Sequence, residues 1–108
     1  MEQLHANDLH RRLEAGWLPL LLDVREPWEL EIAHIDGSHS LPMNAIPSSL
    51  GQGVLESRER EIVLICHHGV RSQQVGRYLE HSGYSQVINL VGGVDAWADQ
   101  VDPSMATY

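Results

Sequence analysis

The chain has 108 residues and is 43% hydrophobic, which suits one domain over residues 1–108 with a single buried core. Its formal net charge is −8 and lysine is absent, so we expect neither nucleic acid nor membrane lipid as a partner. The single cysteine excludes an intramolecular disulfide, and no apolar segment resembles a signal peptide or a membrane span. These features predict a cytoplasmic protein.

The first half of the chain predicts two helices and two strands. "ANDLHRRLEAG" places Leu9 and Leu13 on one helical face, and "LPLLLDV" is an apolar run that predicts a buried strand ending at Asp23. "EPWELEIAHIDG" predicts a short helix with Pro27 in its first turn. "SHSLPM" predicts a short strand, which Pro42 ends.

The second half predicts two further strands and two further helices. "IPSSLGQGVLESRER" indicates only a helical turn and a connection, whereas "EIVLIC" is the clearest strand. "VRSQQVGRYLEHSG" predicts a helix with Val75 and Leu79 on one face. "QVINLVGG" predicts a strand and "VDAWADQ" a last short helix, with Trp97 in the core and "VDPSMATY" as a tail.

Strands that alternate with helices predict an α/β fold with a mostly parallel central sheet and helices on both faces. In such sheets, sites lie beyond the carboxyl ends of the strands. Asp23, Cys66 and the pair Gly92–Gly93 each follow a predicted strand, so we expect them at one edge of the sheet. The two glycines would allow the backbone to approach the loop after Cys66 closely.

The segment "IVLICHHGVRS" joins a strand to a helix through the only cysteine. Gly69 permits a tight turn whose N–H groups can bind an anion, and the helix N-terminus and Arg71 add positive charge. This arrangement favours the thiolate of Cys66. A lone cysteine in a strand is more often a packing residue. The succession of strand, glycine, arginine and helix is what indicates a reactive thiol.

Three separated motifs resemble the rhodanese family, the sulfurtransferase homology domain. They are "LLDVREPWELEIAHIDGSHSLP", "IVLICHHGVRS" and "VINLVGGVDAWA", and the resemblance extends from about Leu13 to Trp97. It implies a single domain of three layers with a core over residues 13–100. The tail is similar to the end of rhodanese-like domains that are fused to ubiquitin-activating-type sulfurylases.

The resemblance also implies a mechanism. Cys66 would carry sulfane sulfur as a persulfide, taken from a small anionic donor such as thiosulfate and passed to cyanide or a thiol. Arg71 would hold the anionic end of the donor, and no cofactor is implied. The implied substrate-binding positions are those of the loop and of the first helical residue: His67, His68, Gly69, Val70 and Ser72.

Several alternatives remain open. His67 and His68 occupy positions where rhodaneses active on thiosulfate often carry basic residues, so a protein-bound persulfide or a polysulfide is an equal candidate for the donor. The chain could instead be a sulfur-carrier or redox-sensing module that delivers persulfide sulfur to a partner protein. A third interpretation is an arsenate or phosphotyrosine-type phosphatase. Such phosphatases generally place one residue more between cysteine and arginine than the four found here.

Other polar residues have structural interpretations. We expect Asp23 to pair with backbone or with Arg25 rather than to orient the loop, and His34 to form a structural hydrogen bond. Arg25 and Glu26 resemble a motif that supports the fold. The neighbours His67 and His68 would face opposite ways in an extended segment, and no recognisable ligand set is present, so we expect no metal.

Overall fold

The computed structural model describes all residues from 1 to 108. Its strands are β1 (Glu2–Leu4), β2 (Leu20–Asp23), β3 (His39–Ser40), β4 (Ile62–Ile65) and β5 (Val87–Leu90). Its helices are α1 (Ala6–Glu14), α2 (Pro27–Ile32), α3 (Ile46–Ser49), α4 (Val70–His81) and α5 (Gly93–Gln100), with 3₁₀ turns at Met43–Ala45 and Gly53–Leu55. The strands form one sheet in the order β1-β5-β4-β2-β3, and every neighbouring pair is parallel.

The core is divided into two clusters, one on each face of the sheet. Successive strand residues point to opposite faces, so β2 and β4 contribute side chains to both clusters. The cluster beneath α3 and α4 includes Leu20, Leu22, Ile46, Ile62, Leu64, Val75, Leu79 and Val87. The cluster beneath α1 and α5 includes Leu4, Leu9, Leu21, Val63, Ile65, Ile88, Leu90, Val94 and Trp97. The expected α/β fold with helices on both faces is therefore confirmed.

Two features differ from the sequence prediction. Strand β1 was not predicted, because three residues with one buried apolar side chain, Leu4, carry no readable pattern. This strand pairs with β5 at the edge of the sheet. Helix α4 begins at Val70, as "VRSQQVGRYLEHSG" predicts, so Ser72 does not open the helix as the resemblance implied. None of the helices has the length and apolar character needed to cross a membrane.

The first turn of α5 fixes the position of the loop after β4. The N–H of Val94 donates to the carbonyl of Cys66 at 2.9 Å, and the N–H of Asp95 donates to the carbonyl of His67 at 3.1 Å. A Cβ atom at Gly93 would lie only 2.2 Å from the Cys66 oxygen. The expected close approach of these glycines to the loop is confirmed, and Gly93 is the residue that requires it.

Candidate functional site

The thiol of Cys66 lies directly after β4, beneath the start of α4, and Cys66 is 1% exposed. The N–H of Gly69 donates to Cys66 Sγ at 3.0 Å. The hydroxyl oxygen of Ser72 lies 3.3 Å from the same sulfur. The sulfur therefore has two potential hydrogen-bond donors and faces the positive end of a helix of 12 residues.

Gly69 allows the loop to turn into α4. Its φ is +95°, in the left-handed region, and it precedes the first residue of the helix. A Cβ atom here would lie 3.0 Å from the Gly92 nitrogen and 3.3 Å from the Leu90 oxygen. Both the backbone conformation and the available space favour glycine at this position.

The hydroxyl proton of Ser72 has two possible acceptors. Ser72 Oγ donates to Asn89 Oδ1 at 2.5 Å, and the other candidate is Cys66 Sγ. Asn89 is oriented by its amide nitrogen, which donates to Gln3 Oε1 at 2.9 Å and to Gln73 Oε1 at 3.2 Å. Asn89 is not identifiable from the sequence alone, because a single polar residue within an apolar strand forms no motif.

Arg71 is bound to a carboxylate. Its Nη1 and Nη2 atoms donate to the two oxygens of Glu29 at 2.7 and 2.8 Å. These hydrogen bonds lower the pKa of Glu29 from 4.5 to about 2, and Glu29 in turn raises the pKa of Arg71. The pair is therefore ionised at neutral pH and carries no net charge. From the sequence alone Arg71 is an uncompensated positive charge, because no motif links it to Glu29.

A second ion pair lies beneath the first. Asp23 and Arg25 are both fully buried, and Arg25 Nη2 lies 2.8 Å from Asp23 Oδ2. Arg25 also donates to the Ala33 carbonyl at 2.8 Å and to the hydroxyl of Tyr108 at 2.9 Å. Burial alone would lower the pKa of Arg25, but the hydrogen bonds to Asp23 and Tyr108 raise it above its usual value. The expected pairing of Asp23 with Arg25 is confirmed.

The rings of His67 and His68 do not face opposite ways. Their centroids lie 3.8 Å apart with planes inclined at 24°, and the other face of His67 stacks on Tyr108 at 3.9 Å. The expectation was wrong because this segment is a turn rather than an extended strand. Burial, and then the neighbouring His68, lower the pKa of His67, so His67 is neutral at pH 7.

The residues that could hold a metal ion together are His67, His68 and Asp95. Their potential ligand atoms lie within 4.8 Å of one another, and His68 Nε2 is 3.8 Å from Asp95 Oδ2. The absence of a metal stays a prediction.

Two other residues have structural positions. His34 Nδ1 lies 3.3 Å from the Leu30 carbonyl, which agrees with the expected structural hydrogen bond. Trp97 is buried in the cluster beneath α1 and α5, so its expected place in the core is confirmed.

The described geometry suits a sulfur nucleophile. A thiolate at Cys66 would accept hydrogen bonds from Gly69 and Ser72, and the loop that holds it is fixed from two sides. The N–H groups of Val94 and Asp95 donate to the first two carbonyls of the loop, and the ion pair with Glu29 holds Arg71 at the other end. Such a site can form a covalent bond to an electrophilic atom and release it again.

Comparison with known proteins identifies the family of this chain. The profile of the rhodanese-like domain family matches residues 5–100. A sulfurtransferase from Allochromatium vinosum is 34% identical over 106 residues, which cover 98% of this chain and 96% of that protein. The crystal structure of a rhodanese-like domain protein from Staphylococcus aureus is 29% identical and superposes with a TM-score of 0.82, covering 94% of this chain and 95% of that one.

A longer relative shows the same domain within a larger protein. The probable adenylyltransferase/sulfurtransferase MoeZ of Mycobacterium tuberculosis is 39% identical over 101 residues, which cover 94% of this chain. The chain spans 26% of the length of MoeZ. Sequence, fold and the extent of the matches lead to one conclusion: the chain belongs to the rhodanese-like domain family, whose members include sulfurtransferases.

Proposed function

We propose that this protein is a sulfurtransferase that carries sulfane sulfur on Cys66 as a persulfide. The observation that carries the proposal is the surroundings of Cys66 Sγ, which lies 3.0 Å from the N–H of Gly69 and 3.3 Å from the hydroxyl of Ser72. Both groups can stabilise a negative charge on sulfur. The relatives named as sulfurtransferases support sulfur transfer in general.

The reaction has two steps. The Cys66 thiolate attacks the outer sulfur of thiosulfate, the S–S bond of the donor breaks, and sulfite leaves with the electron pair. Cys66 then carries one additional sulfur atom. A nucleophilic acceptor, cyanide or a thiolate, attacks that terminal sulfur, and the Cys66 thiolate leaves with its electron pair. This double displacement predicts ping-pong kinetics.

Each loop residue has a proposed role in these steps. The backbone at His67, His68, Gly69 and Val70 surrounds the terminal sulfur, and the Gly69 N–H donates to the sulfur that bears negative charge. When the Cys66 thiol ionises, the Ser72 hydroxyl rotates so that its proton points at Cys66 Sγ instead of at Asn89 Oδ1. Arg71 keeps the end of the loop in place and provides the nearest positive charge for an anionic donor.

The charges around the loop favour a donor of low charge. Glu29 compensates Arg71, His67 is neutral and the carboxylate of Asp95 lies beside His68. Thiosulfate, which carries two negative charges, gains little attraction from such a surface. A persulfide group on another protein, which carries at most one negative charge, is therefore the second donor class we propose, with thiosulfate and polysulfide retained as test donors.

A carrier function is the alternative that these observations support. Cys66 is buried and Arg71 is engaged, so a persulfide could form here and yet leave slowly without a partner. MoeZ and Uba4, which are named as both adenylyltransferase and sulfurtransferase, suggest delivery to a partner protein. The two functions differ in steady-state turnover of thiosulfate and cyanide, which the enzyme would sustain and the carrier would not.

Mass spectrometry of the intact protein tests the proposal. After incubation with thiosulfate, or separately with polysulfide, the wild-type protein should gain the mass of one sulfur atom and lose it on addition of cyanide. The variant Cys66→Ser, which is close in size but has no thiol, should gain nothing. A protein that gains no sulfur from either donor, or a variant that still gains it, contradicts the proposal.

A further inference from the structure

We infer that Tyr108 is a positioning residue for the active-site loop, acting through Glu29 on Arg71. The inference rests on the proposed role of the Cys66 loop and adds a residue that neither the loop sequence nor the family comparison identifies. Its basis is that Tyr108 contacts one end of the loop directly and reaches the other end through Glu29. The ring lies against His67 at the start, and the hydroxyl binds the partner of Arg71 at the end.

The hydroxyl of Tyr108 connects the two ion pairs. It donates to Glu29 Oε1 at 2.8 Å and accepts a hydrogen bond from Arg25 Nη1 at 2.9 Å. Arg25 is itself held by the buried carboxylate of Asp23. A continuous set of hydrogen bonds thus runs from the end of β2 to the guanidinium of Arg71.

The hydroxyl also completes the hydrogen bonding of Glu29. Each Glu29 oxygen accepts one bond from Arg71, and Oε2 accepts a further bond from the Glu26 N–H at 2.9 Å. Tyr108 supplies the fourth bond, to Oε1. Because each oxygen accepts two hydrogen bonds, the carboxylate is held in one orientation. The planar guanidinium of Arg71, which binds both oxygens, is oriented by the carboxylate in turn.

Tyr108 is suited to this donor role. Burial raises the pKa of Tyr108 above its usual value, so the hydroxyl keeps its proton at neutral pH. The side chain belongs to neither core cluster, and 37% of its surface is exposed. Removing the hydroxyl alone should therefore change the orientation of Glu29 and leave the core packing in place.

The ring makes a separate contribution. The ring centroid of Tyr108 lies 3.9 Å from that of His67, with planes 12° apart. It lies 5.9 Å from the ring centroid of Trp28 in a T-shaped arrangement. His67 directly follows Cys66, so this contact limits the movement of the first loop residue. Tyr108→Phe keeps the stacking and removes the hydroxyl, which isolates the part of the inference that concerns Arg71.

The test compares alkylation of Cys66 by an anionic and a neutral reagent. The measured ratio is the rate with iodoacetate divided by the rate with iodoacetamide. It rises when positive charge lies close to the thiolate, and it does not depend on whether the protein transfers sulfur. The ratio is measured for wild type, Tyr108→Phe, Arg71→Ala and the double variant. Tyr78→Phe, which alters an exposed tyrosine on α4, is the matched control, and thermal unfolding checks that each variant is folded.

We expect Tyr108→Phe to lower the ratio by about threefold, and to have no further effect once Arg71 is alanine. Tyr78→Phe should leave the ratio unchanged. An unchanged ratio in Tyr108→Phe, or an equal reduction with and without Arg71, overturns the inference. Persulfide formation is measured separately by mass, so failure of the proposed function and failure of this inference are distinguishable.

Discussion

Arg71 and Glu29 form a bidentate ion pair although 42 positions separate them in the sequence. Helix α2 supplies the carboxylate and the first turn of α4 supplies the guanidinium. The pair joins the segment after β2 to the segment after β4, at the edge of the sheet where Cys66 lies. The orientation of the loop therefore depends on a residue outside it.

Acid should weaken this connection in a defined pH range. The pKa of Glu29 is lowered from 4.5 to about 2, so below 4.5 the unfolded chain binds a proton that the folded chain does not. The ion pair thus stabilises the fold fully above pH 4.5, and this contribution is lost as the pH falls toward 2. Urea unfolding of wild type should show a steeper fall in unfolding free energy over this range than Glu29→Gln.

The matched control for this experiment is Glu31→Gln, which removes an exposed carboxylate from the same helix. Its unfolding free energy should follow the wild-type dependence on pH. If Glu29→Gln also follows the wild-type curve, the pair does not contribute to stability in this way.

Removal of the Ser72 hydroxyl should slow sulfur loading. A hydrogen bond to a charged group contributes about 1.5–3 kcal/mol, so Ser72→Ala should reduce the rate of persulfide formation by about tenfold or more. Single-turnover loading with polysulfide, followed by mass, measures this rate. Ser82→Ala removes an exposed hydroxyl beyond the end of α4 and should have no effect. Equal rates in wild type and Ser72→Ala would mean that Ser72 does not stabilise the sulfur.

A methyl group at Gly93 should displace the loop. It would approach the Cys66 oxygen to 2.2 Å and the His67 oxygen to 2.5 Å, so the α5 turn and the loop would have to separate. We expect Gly93→Ala to lower the unfolding free energy by about 1–3 kcal/mol and to reduce persulfide formation. Chemical denaturation and mass measure the two effects.

Gly53→Ala is the control that isolates the steric effect. Gly53 has a φ of +52°, close to the +57° of Gly93, but a Cβ atom there would meet nothing within 4 Å. Both variants carry the strain of a left-handed alanine, and only Gly93→Ala carries the clash. Similar losses in the two variants would show that backbone strain, rather than the close approach to Cys66, explains the effect.

The elements with strong patterns were predictable from the sequence. The consecutive apolar residues of β2 and β4 indicate strands buried on both faces, and Val75 and Leu79 identify the buried face of α4. Cys66 and its loop were predictable because a short segment contains the whole motif. Strand β1 was not predictable, because its three residues form a strand only through pairing with β5.

The residues that hold the loop were not predictable in the same way. Glu29, Asn89 and Tyr108 act through partners far away in the sequence, and no local periodicity links a carboxylate on α2 to an arginine on α4. The stacked rings of His67 and His68 depend on the turn and on Tyr108. Side-chain pairing across the fold determines these contacts, and a single sequence contains no signal for it.

The length of the loop should decide between sulfur and phosphorus chemistry. Four residues separate Cys66 from Arg71, and Gly69 already bonds to the sulfur through its N–H. A terminal persulfide sulfur is one atom, whereas a phosphoryl group has three outer oxygens and needs a wider ring of N–H donors. We therefore expect the wild-type protein to accept sulfur and to show neither a burst nor turnover with an aryl phosphate.

An insertion variant tests the same argument from the opposite direction. One glycine added between Gly69 and Val70 lengthens the loop just before α4 begins, and should weaken persulfide formation because the Gly69 N–H no longer points at Cys66 Sγ. A glycine added between Gly51 and Gln52, on the turn after α3 where Gln52 is exposed, is the control and should leave sulfur loading intact. Hydrolysis of an aryl phosphate by the wild-type protein at about 1 per second or faster would instead favour the phosphatase interpretation, since that is an enzyme-like rate.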